Sequence, residues 1–126
     1  MASKMVKVEA LLRLAEDFLS EAEEALERAS NMDDDYLSVE VAAKLLAALN
    51  QAADALIYWK LEACPDSSVE RLRMLEGLTA DRGYEPLQQA LQEIVFSEGL
   101  TGMDVVRREA ERVREYLSKV RSLVSP

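Results

Sequence analysis

Residues 38–61 read SVEVAAKLLAALNQAADALIYWKL, and this stretch decides the fold. At 100° per residue, Glu40, Lys44, Gln51, Asp54 and Tyr58 fall on one narrow polar stripe, with Asn50 at its margin. Leu45, Leu46, Leu49, Leu56, Ile57 and Trp59 occupy the rest of the circumference. A helix apolar on so many sides must pack against several neighbours at once. It is not a membrane span, because Lys44, Asn50, Gln51 and Asp54 interrupt every run of about eighteen apolar residues. The expectation is a buried axle inside a bundle of helices.

Composition agrees and removes several functional classes. A chain of 126 residues is enough for one domain with a real core. With 49% apolar and 31% charged residues, neither a disordered tail nor a membrane protein is suggested. The opening MASKMVKVEA lacks the apolar core and cleavage pattern of a secretion signal, so a cytoplasmic protein is expected. The histidine count is zero, which excludes Glu-x-x-His di-iron sites, His-bearing zinc sites and triads with a histidine base. The single Cys64 forms no internal disulfide and suits a reducing compartment. Beside Pro65 and without an activator it reads as a structural thiol. No enzyme, cofactor or metal is expected.

Outward from the axle, the chain divides into five helices and no strand. No Gly or Pro precedes Pro65, so two long helices fill that part, separated only by Ser30 to Asp35. The first is expected over 4–29, with Leu11, Leu14, Ala15, Phe18, Ala22, Ala25 and Ala29 facing inward and Glu9, Glu16, Asp17, Glu21, Glu23, Glu24 and Glu27 outward. Asp33, Asp34 and Asp35 suggest calcium at first sight, but the turn glycine and closing glutamate of a calcium loop are missing. Carboxylates at the start of the second helix are better explained by its positive dipole end. Pro65 is expected to stop that helix, and Ser67-Ser68-Val69-Glu70 opens a short third one with a capping box. Gly77 and the turn Ala80-Asp81-Arg82-Gly83 close it. Pro86 begins a fourth helix carrying Leu87, Leu91, Ile94 and Val95 to near Gly99. Thr101-Gly102-Met103-Asp104 caps the last, whose Val106, Ala110, Val113, Leu117, Val120 and Val124 are spaced four, three, four, three, four.

That last helix sets six cations, Arg107, Arg108, Arg112, Arg114, Lys119 and Arg121, against Glu109, Glu111 and Glu115, a local excess of three on a chain of net charge −9. Basic helices neutralise phosphates. Here Glu111 and Glu115 lie at the centre of the polar face with arginines on both flanks, so an ion-pair lattice within the helix is the simpler reading. Glu109 sits at the edge of the apolar arc and is expected to meet a cation across a helix interface. In the axle, Ala48, Ala52 and Ala55 form a small-residue strip that admits a close neighbour. The stripe of Lys44, Asn50, Gln51, Asp54 and Tyr58 is open to three roles: solvated face, pocket lining, or seam of a two-fold dimer. With Arg107 and Arg114 these residues form the candidate binding set.

The segments AEDFLSEAEEALERA, VAAKLLAALNQAADALI, SSVERLRMLEGL and REYLSKVRSLV, in that order, resemble the HEPN-like superfamily of prokaryotic helical bundles. The likeness spans most of the chain and contains no diagnostic motif. It implies an antiparallel bundle, frequent dimerisation, and an accessory role beside a nucleotidyltransferase or RNA. Active members carry an arginine followed shortly by histidine for RNA cleavage, and no residue here supplies that histidine. The expectation is thus an all-α, antiparallel up-and-down bundle of four to five helices, acting as a non-catalytic interaction module and homodimer with a possible protein partner and no membrane. The alternatives are an RNA- or nucleotide-binding protein using the basic residues of the last helix, and a degenerate HEPN-type ribonuclease or other hydrolase using Asp54, Glu109 and arginines.

Overall fold

A computed structural model describes residues 2–32, 37–78, 83–97 and 101–124. They form five helices, α1 (Ala2–Met32), α2 (Leu37–Leu61), α3 (Ser68–Glu76), α4 (Tyr84–Val95) and α5 (Met103–Val124), with no strand among the described residues. The chain is an all-α helical bundle.

Helix α2 is the axle, touching each of the other four. Leu45, Leu49 and Ile57 are wholly buried, and Ala42, Ala48, Ala52, Ala53 and Ala55 are buried beside them. Alanines leave room for neighbouring helices to approach closely, which is how one helix accommodates four. The side-chain contacts fix the directions. Lys7 meets Tyr58 and Lys44 meets Glu21, so α1 and α2 run antiparallel. Arg121 meets Glu9 and Glu16 while Arg114 meets Glu23, so α5 is also antiparallel to α1. Helices α3 and α4 together make the intervening stroke. Hence α2 and α5 run parallel and touch across the bundle.

Several elements depart from the sequence expectation in register or ends. On α1 the deepest residues are Val8, Leu12, Ala15, Leu19, Ala22, Leu26 and Ala29, whereas Leu14 is 42% exposed and Leu11 and Phe18 are only half-buried. The inward face is therefore turned toward Leu12 and Leu19. Its spacing of four, three, four, three, four, three matches that of α5, as expected where two nearly aligned helices share a seam. Pro65 does not stop α2. The helix ends at Leu61, where Glu62 takes φ 52° and its N–H bonds the Tyr58 carbonyl at 2.8 Å. That left-handed residue after the last turn is a common helix terminator, although glycine usually occupies it. Ser67 does cap α3, accepting from the Glu70 N–H at 3.1 Å, while the Glu70 carboxylate accepts from the Asp66 N–H at 3.0 Å. Helix α4 begins at Tyr84, two residues before Pro86, and ends at Val95 rather than near Gly99, with the Ser97 hydroxyl donating to the Ile94 carbonyl at 2.6 Å. Asp33 to Asp35, Ala80 to Arg82 and Gly99 lie outside the described residues.

Candidate functional site

The polar stripe of α2 is met by the chain's own helices. Lys44 Nζ donates to Glu21 of α1 at 3.4 Å, and one and a half turns past it Asn50 Oδ1 accepts from the Tyr84 hydroxyl of α4 at 2.6 Å. Lys7 of α1 lies 4.9 Å above the Tyr58 ring. Asp54 takes two hydrogen bonds from Arg71 of α3, at 2.7 and 3.2 Å, with both side chains mostly buried. Gln51 is half-buried between these groups and makes no side-chain hydrogen bond among the described residues.

Asp54 and Asn50 belong to one connected set. Burial works against the Arg71 charge, but the hydrogen bond and field of Asp54 outweigh it and the Tyr84 hydroxyl adds to them, so the guanidinium is held above its ordinary value. Tyr84 is 2% exposed and stacks obliquely on Tyr116 of α5, with ring centres 6.3 Å apart. Asn50, Tyr84, Arg71 and Asp54 thus tie α2 to α3 and α4 and reach α5 through an aromatic contact. The Asp54 carboxylate has both oxygens occupied by Arg71. The sequence showed Arg71 only as one charge among many on a short helix. Nothing in its spacing marked it as the partner of a residue seventeen positions earlier.

The basic face of α5 is also engaged, mainly with α1. Arg121 Nε donates to Glu16 at 2.9 Å and its terminal nitrogens reach Glu9 at 3.3 and 3.5 Å. Desolvation opposes the Arg121 charge, yet the hydrogen bonds it donates to Glu16 and Glu9 raise its pKa above the ordinary value. Arg114 pairs with Glu23, and Arg107 with Asp104 at 3.8 Å. Among the described residues no ion pair involves Glu111 or Glu115: Arg107 and Arg112 pair within α5 with Asp104 and Glu109, while Arg114 and Arg121 pair across to α1. The acidic face of α1 that read as solvated supplies the counter-charges. Glu109 corrects the sequence reading in the opposite sense. Its partner is Arg112, one turn along the same helix at 2.9 and 3.1 Å, which lets a nearly buried carboxylate be neutralised by a guanidinium at the rim.

Shallow depressions mark the surface of the described residues. A cleft of about 210 Å³ between α4 and α5 is lined by Gly83, Leu87, Arg112, Glu115, Tyr116 and Lys119, two cations against one carboxylate. One of about 420 Å³ is lined by Gln89, Gln92, Glu93 and Phe96, with Phe96 78% exposed. The third, of about 450 Å³, lies on the outer face of α1 among Met5, Val6, Glu9, Ala10 and Arg13. Its apolar residues were visible in the sequence, but a helix read for its inward face gives them no role. Cys64 is exposed between α2 and α3. Among the described residues no three acidic or thiol groups converge as a metal site, and no helix is long and apolar enough to cross a membrane. No protein-family model, curated protein or solved structure matches the chain.

Proposed function

We propose that this chain is a non-catalytic helical interaction module that works as a homodimer. The observation carrying this reading is that every candidate binding residue except Gln51 already has a partner inside the fold: Lys44, Asn50, Asp54 and Tyr58 on neighbouring helices, Arg114 on α1, and Arg107 on its own helix. What the surface offers instead is apolar, with Met5, Val6 and Leu14 on α1 and Phe96 after α4 exposed. Exposed apolar residues gathered on one face mark contact surfaces, whereas single ones are ordinary. Following the HEPN-like resemblance, we extend the proposal to an accessory role beside a nucleotidyltransferase or similar partner, tested by co-expression with the product of an adjacent gene.

The competing reading is phosphate binding along α5, and it makes opposite demands. A chain of net charge −9 repels a polyanion at long range, and the α5 arginines face glutamates already. At physiological salt the protein is expected to show no submicromolar RNA affinity. Tight binding that falls steeply with salt and disappears when Arg107, Arg114 and Arg121 are all changed to Gln overturns the proposal.

A further inference from the structure

We infer that the outer face of α1 around Ala10 is the seam of the homodimer, where a second copy packs its own α1 antiparallel about a two-fold axis. This rests on the proposed homodimeric reading and gives it a location. Val6, Glu9, Ala10 and Arg13 line the depression on this face. Their spacing, i, i+3, i+4 and i+7, is the four-residue diamond that receives a side chain from a facing helix. Val6 is 68% exposed, Ala10 is exposed, and Met5 and Leu14 flank them partly uncovered. Ala10 at the centre leaves space for a second backbone to come near.

Charge selects the occupant and its direction. Glu9 and Arg13 stand on the same edge of the apolar strip, one turn apart and 3.5 Å from each other. An antiparallel two-fold preserves that edge and reverses the order, so Glu9 meets the partner's Arg13 and Arg13 meets the partner's Glu9. An isologous contact requires such self-complementarity. The Arg13 side chain is 75% exposed, free to reach across. The surrounding field agrees. Residues 4–13 carry Lys4, Lys7 and Arg13 against Glu9, whereas the later part of α1 carries Asp17, Glu21, Glu24 and Glu27. Antiparallel packing centred near Ala10 sends the two acidic halves away from each other, while parallel packing would lay one along the other. Four exposed apolar or small residues make a small seam, which places the association in the weak, reversible class.

Sedimentation velocity of the full chain over a dilution series, at concentrations up to about 100 µM, measures the association. A dimer is expected whose dissociation constant rises at least about tenfold with Ala10→Arg or Arg13→Glu, both exposed positions, with helicity by circular dichroism unchanged. Ala10→Cys in a Cys64→Ser background should form a disulfide dimer on mild oxidation, and Glu24→Cys should not. A dimer indifferent to Ala10→Arg overturns the seam but leaves the homodimeric reading intact. A monomer throughout the series overturns both.

Discussion

At single side chains, the energetic weight lies in groups that are both polar and buried. Ser38 is completely buried and its hydroxyl has no hydrogen-bond partner among the described residues. An unpaired buried donor costs about 1 to 3 kcal/mol, and alanine is also the better helix former, so Ser38→Ala should raise the urea midpoint by the equivalent of about 1 kcal/mol. Asp54→Ala acts the other way. It strands the Arg71 guanidinium in a mostly buried site, and chemical denaturation should show a loss of about 2 kcal/mol, while replacing Asp54 and Arg71 together with apolar residues should cost less. The pH dependence of that pair follows from its sign. Since the Arg71 pKa is raised on folding, its contribution is complete below the ordinary arginine value and is lost only as pH climbs through the still higher folded value. Deprotonation of Arg71 should therefore remove no stability between about pH 6 and pH 9, which denaturation of the wild type compared with the Arg71→Met variant at both ends measures.

Among the helices, the contrast between Leu12 and Leu14 tests which way α1 is turned. Leu12→Ala should cost about 2 to 5 kcal/mol and Leu14→Ala less than about 1, as judged by thermal or urea unfolding. The reverse order would restore the face expected from sequence. Five helices, their sequence and the centrality of α2 were legible because caps, breakers and apolar period agree locally. The facing of α1 was not, because alanines and leucines surround much of its wheel and only the position of α2 and α5 decides which are covered. What stops α2, and the end of α4, were missed for a related reason. Pro65 and Gly99 are strong signals, but Glu62 in a left-handed conformation ends one helix earlier, and the chain turns at Phe96 and Ser97 in the other. In the candidate site, the sequence marked the polar residues of α2 but not their partners, since Asn50–Tyr84 and Glu16–Arg121 join positions far apart in the chain.

For the molecule as a whole, the charge pattern works as internal adhesive. The acidic outer edge of α1 and the basic edge of α5 are the two halves of one set of ion pairs, each partly exposed and so worth a fraction of a kcal/mol. Changing Arg107, Arg114 and Arg121 to Gln together should lower stability by about 1 to 2 kcal/mol, with a smaller loss in high salt because screening has already weakened the pairs. Burial of α2 is the larger matter. Eleven of its 25 residues are buried by helices of the same chain, so it needs no second copy to be covered. Native-state hydrogen exchange, followed residue by residue at a concentration where the chain is monomeric, tests this most directly. Amides of α2 from Leu45 to Ile57 should exchange only through global unfolding, at a rate unchanged when the protein is concentrated. Fast exchange along α2 in the monomer, slowing as copies associate, would contradict a bundle built around an axle that its own chain encloses.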